Sequence, residues 1–323
     1  MSSNAKIEKV SEGIDESLFE FAEYDVNKGE KNAYSNYSYW RSTLQAFLKN
    51  RVAAALLILM LVIILFTLIQ PFLPNQKLPT KIYLDPKTGM QLRNHAPDGQ
   101  YWFGTNSIGQ DLWARIWSGT RTSLLIGLLA GLWQALIGIS IGCLWGYVRK
   151  LDFIITQIYN LIDNIPTTII MILMAYILHP SISTLVIAMC LTNWLSMARF
   201  VRNQILIIRD REYNLASRCL GTPVRKIILK NLLPYLVSVI MLQMALAIPN
   251  AIGSEVFLTY IGLGLPLSMP SLGNLINEGR AIMMVSSLRY QLIFPAAVLS
   301  LITISFYVIG NAFADASDPR SHV

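Results

Sequence analysis

Polar residues in this chain are concentrated at the N-terminus and in a few connecting stretches, while apolar residues gather into six blocks. The first, 52–69, runs 18 residues between Arg51 and Gln70 without a charge or a proline. About 17 to 25 such residues cross the hydrocarbon core of a bilayer. Five further blocks follow at 123–148, 153–178, 184–201, 235–252 and 292–312. The pattern predicts an all-α integral membrane protein with six transmembrane helices. Its parts are a tail at 1–50, a first transmembrane helix at 51–70, an outer loop at 71–121, a core of five helices at 122–312 and a second tail at 313–323. The residues up to Arg51 carry seven Lys/Arg and eight Asp/Glu. That stretch is too long and too acidic for the basic start of a signal peptide, so the first block is expected to stay as an uncleaved span.

Charge changes the picture by fixing an orientation. Only 14% of residues are charged and 54% are hydrophobic, yet the net charge is +7. Six spans put both termini on one face, and 18 of the 26 Lys and Arg fall on that face. Cations are enriched in cytoplasmic loops, so both termini are expected in the cytoplasm, and the surplus needs no nucleic-acid partner. Cys143, Cys190 and Cys219 lie in spans or on the inner face, so no disulfide is expected. His95, His179 and His322 are scattered, with no pair at metal-ligand spacing.

Polar groups inside apolar spans are costly and mark function by default. The second span instead carries Gly127, Gly131, Gly138, Gly142 and Gly146 along one helical stripe, which allows another helix to approach closely. The third is interrupted by Asn160, Asp163, Asn164 and Pro166, about 15 Å beyond its inner end at 1.5 Å per residue. Proline removes a backbone donor, so a kinked or broken helix beside a hydrophilic passage is expected there, with a structural carboxylate at Asp163 as the alternative. Asn193 and Trp194 in the fourth span, Gln243, Pro249 and Asn250 in the fifth, and Glu255 just beyond it extend a candidate polar lining.

The segment 209–234 lies between the fourth and fifth spans on the inner face. Leu215, Ala216, Cys219 and Leu220 share one face of a short helix, Gly221 supplies its end, Thr222 can cap and Pro223 can open the next helix at its first position. Such a helix suits a groove on a cytosolic partner or, equally, an anionic membrane surface.

These residues carry a resemblance. Glu212, Ala216, Gly221, Ile228 and Pro234 stand where the EAA loop of permease subunits of ATP-binding-cassette importers has its Glu, Ala, Gly, Ile and Pro. Paired alanines of that loop are here Leu215 and Ala216. The likeness runs from Trp102 to Arg320, through WFGTNSIGQDLWARIWSGTRTSL, YIGLGLPLSMPSLGNLINEGR and DASDPR, and resembles in particular the C-type permease of oligopeptide and dipeptide importers. Gln110 replaces a basic residue and Leu272 a tryptophan, and residues 1–50 are expected to lie outside the likeness. It implies the type I importer permease fold in a bacterial cytoplasmic membrane. It implies also a homologous permease partner, two ATPase subunits that use ATP and Mg, an extracellular substrate-binding lipoprotein and a peptide cargo. Glu212, Tyr213, Leu215, Ala216, Cys219, Leu220, Gly221 and Pro234 would couple to the ATPase. Asp163, Asn164, Pro166, Asn193, Gln243, Asn250 and Glu255 would line the path.

The long outer loop and the 253–290 loop would receive the lipoprotein, or merely form a lid. No G-x-x-x-x-G-K-S/T phosphate loop occurs, so ATP hydrolysis is expected in another polypeptide and the chain is not expected to be an enzyme. Ser107 lacks the G-x-S-x-G setting of a hydrolase nucleophile, with only His95 as an outer-loop partner. A passive channel would share the spans but has no use for a coupling loop. Dipeptides and nickel are the alternative cargoes.

Overall fold

A computed structural model describes residues 39–317. The chain divides into two units, Met1–Ser42 and Thr43–Val323, and the account below concerns the second. Helix α1 (Tyr39–Lys49) occupies the end of the stretch expected as a tail; 1–38 and 318–323 lie outside the described residues. Asn50 then caps α2 (Arg51–Ile69), its side chain accepting from Ala53 N–H at 3.2 Å. Phe47 and Ala53 are buried against Ala312 and Ala316 of the last helix.

The second span starts well before the expected Ser123. Asp111 accepts from Ala114 N–H at 2.8 Å and opens α3 (Leu112–Tyr147), 36 residues long. Arg115 and Arg121 mask this first part of the helix from a reading by hydropathy. The third span is broken. α4 (Arg149–Asp163) and α5 (Thr167–Leu178) meet at 70°, with Pro166 extended at the start of α5. α6 (Ile182–Thr192) and α7 (Trp194–Ile208) follow each other across Asn193. Next come α8 (Glu212–Cys219), α9 (Val224–Ile227), a π turn at Ile228–Leu232 and α10 (Leu233–Tyr260). Helix α11 (Leu272–Ala281) precedes α12 (Tyr290–Ser317). Among the described residues five stretches are long and apolar enough to cross a membrane, with a sixth if the bent α4/α5 pair is one span.

α3 is the axis of the bundle, and its glycines let two helices close on it. A Cβ on Gly142 would lie 2.6 Å from the Ala198 carbonyl oxygen of α7, while Gly127 and Gly131 face Ile248 of α10. Lipid tails are as apolar as leucine, so this contact-distance packing, rather than escape from water, holds the helices together. At one end of the bundle, Met197, Val201, Ile205, Ile227 and Leu232 form one buried cluster. Met60, Ile63, Ile252, Leu272 and Ile302 form another that ties α2 and α12 to α10 and α11.

Candidate functional site

α8 begins with Glu212 in its first turn, where a carboxylate complements the helix dipole. It ends where Gly221 turns to φ +73°, letting Thr222 N–H reach the Ser217 carbonyl at 3.1 Å. No atom lies within 4 Å of where a Gly221 Cβ would sit, so the backbone angle and not crowding requires glycine. Pro223 differs from expectation: it is extended (φ −65°, ψ 146°) and precedes α9 instead of occupying its first position, and Thr222 makes no cap. An extended proline fits there because the residue before a helix also needs no donor toward it.

Nearly all of α8 is uncovered. Glu212, Tyr213, Leu215, Ala216, Cys219 and the following Leu220 are exposed, Leu220 to 84%. Asn214 is the exception and is wholly buried. Its Nδ2 donates to the Ile208 carbonyl at 2.9 Å, and its Oδ1 accepts from Asn231 Nδ2 at 3.2 Å, which also lies 3.2 Å from Ser217 Oγ. Asn231 belongs to the π turn, and Pro234 stands in the first turn of α10. α8 is therefore bolted to the end of α7 and to the π turn that leads into α10. Neither asparagine was singled out in the sequence, although Asn231 is a lone amide in the run IILKNLLP. Beside this clamp, Asp210 lies 3.1 Å from Arg209, 3.2 Å from Arg218 and 3.6 Å from Arg149. Burial pushes its carboxyl up, but the Arg209 hydrogen bond and the three guanidiniums outweigh that and hold it below the usual range.

The polar interruptions fall on separate walls. Asp163 lies 3.7 Å from Arg199 of α7, and Arg199 donates to the Tyr159 hydroxyl at 3.0 Å. Both charged side chains are about half exposed (50% and 57%), so they sit on an open face at the break. Asn164 and Pro166 are exposed at the same bend, with Asn164 Nδ2 donating to the Asn160 carbonyl. Asn193, at the α6/α7 junction, accepts from Thr192 Oγ1 at 3.3 Å. On α10, Gln243 is half-buried and Asn250 exposed. Glu255 must be corrected: it is wholly buried and does not join that lining. It follows Asn250 by five residues, about 140° further round a helix of 3.6 residues per turn. There it accepts from Ser271 Oγ (2.7 Å), Thr259 Oγ1 (3.1 Å) and Ser123 Oγ (3.3 Å), joining α10 to α11 and α3.

On the opposite side the loop 73–111 is held as a plate. Arg115, 1% exposed, pairs with Glu278 of α11 at 2.6 Å. Gln110 accepts from Arg115 and from Asn106 Nδ2, and donates to the Thr80 carbonyl at 3.0 Å. An acceptor at position 110 is thus used by a buried guanidinium, a contact that a basic residue would repel. The Tyr290 hydroxyl lies 2.9 Å from both the His95 and Thr105 carbonyls. Asn274 Nδ2 lies within 3.2 Å of the carbonyls of Leu265, Pro266 and Met269, shaping the second outer loop. His95 is 2.7 Å from Asp98, so its ring is engaged by a carboxylate and not by Ser107. Lys77 lies 3.2 Å over the Tyr101 ring and 3.8 Å from Asp111; burial pushes the amine down against the pull of Asp111 and Asp98.

Comparison with known proteins places this architecture. Residues 127–323 match the family described as binding-protein-dependent transport system inner membrane component, and residues 38–91 match the N-terminal TM domain of oligopeptide transport permease C. The chain is 38% identical to the oligopeptide transport system permease protein AmiD of Streptococcus pneumoniae, covering 96% of this chain and 99% of that one. It is 31% identical to the oligopeptide permease OppC of Bacillus subtilis, covering 96% and 99%. Identity to the dipeptide permease DppC of the same organism is 34%, covering 88% and 86%. A chain from inward-facing structures of the MetNI methionine ABC transporter matches in fold, with TM-score 0.50 and 20% identity over 62% of this chain and 96% of its own. The likeness therefore reaches into 38–50, a stretch the sequence reading had left outside it. These matches place the chain among the inner membrane permease components of binding-protein-dependent ABC transport systems.

Proposed function

We propose that this chain is the permease subunit of an ATP-driven oligopeptide importer and forms half of the translocation path. The observation that carries the reading is α8, a helix apolar and exposed along Leu215, Ala216 and Leu220 yet bolted through Asn214 to two membrane helices. That combination suits a helix seated in a groove of a separate motor, whose displacement is passed rigidly to α7 and α10. Glu212, Tyr213, Leu215, Ala216, Cys219, Leu220, Gly221 and Pro234 make up the coupling element. Asp163, Asn164 and Pro166 with Asn193 form one wall of the path, and Gln243 and Asn250 form another. A homologous permease supplies the other half, two ATPase subunits bind ATP and Mg, and an extracellular lipoprotein delivers the peptide onto the outer plate. Both termini face the cytoplasm.

Oligopeptide cargo is favoured by the names of the relatives that cover nearly the whole chain, AmiD and OppC. Dipeptide cargo is the second reading, because DppC is 34% identical. Purification of the tagged chain from its native membrane should recover a second permease, ATPase subunits and a lipoprotein. Uptake of labelled peptides of graded length should cease when the ATPase is disabled. Uptake that continues unchanged without ATP hydrolysis would defeat the reading, and uptake confined to dipeptides would move it to the second cargo.

A further inference from the structure

A groove of about 570 Å³ opens between α3 and the segment that runs from α9 through the π turn into α10. Its walls are apolar, with Ile139 and Leu144 on one side and Leu229 and Leu233 on the other. Ser140 also lines it, but its hydroxyl is spent on the Leu136 carbonyl at 2.7 Å. Leu144 (45% exposed) and Leu229 (50%) leave the groove open along its length. The one charged group in the lining is Arg225; Lys226, next in α9, and Lys230, in the π turn, are close to it in the chain without lining the groove themselves. All three cations are exposed, and none makes an ion pair among the described residues. Between Glu212 and Glu255 the sequence contains no Asp or Glu that could pair with them.

We propose that this groove holds an anionic phospholipid, with an acyl chain against the leucines and the phosphate at Arg225, Lys226 and Lys230. Basic pockets between membrane helices on the cytoplasmic side select anionic headgroups, and apolar walls of this kind accept a chain without hydrogen-bonding demand. A soluble anion would have no use for the leucines, and an apolar helix from a neighbouring subunit would leave three cations without a counter-charge. The lining includes Ile228 and Leu229 of the π turn that carries Asn231 to α8, so the occupant bears on the element that positions the docking helix. Assignment to the inner leaflet rests on the orientation given under the proposed function; the groove and its charge do not.

The test uses the assembled importer in nanodiscs of phosphatidylcholine doped with phosphatidylglycerol, with a benzophenone photocrosslinker installed at Leu229. Illumination and mass spectrometry should find phosphatidylglycerol adducts enriched over its share of the bilayer. The combined R225Q, K226Q and K230Q change should lower that enrichment about tenfold or more, since each juxtamembrane cation adds to the attraction. Adducts in bulk proportion, an enrichment untouched by the three substitutions, or capture of a neighbouring protein subunit would each overturn the proposal. Wild-type complex that transports peptide without enrichment refutes the lipid site alone. Enrichment in a complex that takes up no peptide refutes the transport reading and leaves the lipid site standing.

Discussion

A single amide decides how firmly α8 is held. Asn231 gives its Nδ2 to Asn214 Oδ1 and lies equally close to Ser217 Oγ, and Asn214 is wholly buried. Replacing Asn231 by Leu keeps the volume roughly constant but strands the Asn214 oxygen. A buried acceptor without a donor costs about 1–3 kcal/mol. The expected outcome for Asn231→Leu is an importer that assembles and hydrolyses ATP, shows faster amide exchange across α8, and moves less peptide for each ATP consumed. Unchanged exchange in α8 would show that the clamp does not hold the helix. The same scale explains what was legible beforehand. Asp163 stands out because a carboxylate within an apolar run is visible by composition alone. Glu255 is equally visible, but its role depends on which way its helix faces, and only the serine and threonine side chains around it reveal that it is a fastener between helices.

Among elements, the pairing of α3 with α7 was legible in outline, since a stripe of glycines announces a close neighbour. Which neighbour it is follows only from the packed structure, where Gly138, Gly142 and Gly146 meet α7 while Gly127 and Gly131 meet α10. Gly142→Val forces methyl groups against the Ala198 backbone, and overpacking of this kind typically costs about 1–3 kcal/mol. A lower melting temperature of the purified complex is expected, whereas a Val at Gly253, where no atom lies within 4 Å of an added Cβ, should leave it nearly unchanged. The outer loop was less legible, because its order comes from isolated contacts and not from periodicity. One of these is sensitive to acid. The hydrogen bond from His95, and then the Tyr101 N–H, hold the Asp98 carboxyl below its ordinary value. A depressed carboxylate contributes stability that is present above the unfolded value of about 3.9 and is lost as the pH falls through the lower folded value. Amide exchange in 73–111 should therefore quicken below that range, while the membrane helices stay protected. Asp98→Asn, which cannot titrate, should flatten the response.

For the molecule as a whole, the polar groups of the spans do not close a passage within one chain. Asp163 and Asn164 mark the bend between α4 and α5, while Gln243 and Asn250 mark α10, and each set faces outward on its own wall. Under the proposed function, a path lined on one side only requires a second chain opposite. The sequence marks both sets as candidate lining but does not reveal that Arg199 stands across from Asp163, because the two come from different helices and Arg199 reads as one more cytoplasmic cation. Their pair is half exposed in the isolated chain, and its 3.7 Å separation is looser than a charge-assisted hydrogen bond of about 2.7–2.9 Å. If Asp163, beside the break between α4 and α5, meets cargo as proposed above, removing its charge should be felt in transport. Asp163→Asn should accordingly leave the complex intact on purification while lowering peptide uptake about tenfold, equivalent to about 1.4 kcal/mol. Arg199→Gln should do the same, and the double change should cost little more than either alone if the two act as one unit. Loss of the assembled complex in either single variant would instead assign the pair to holding α4 against α7.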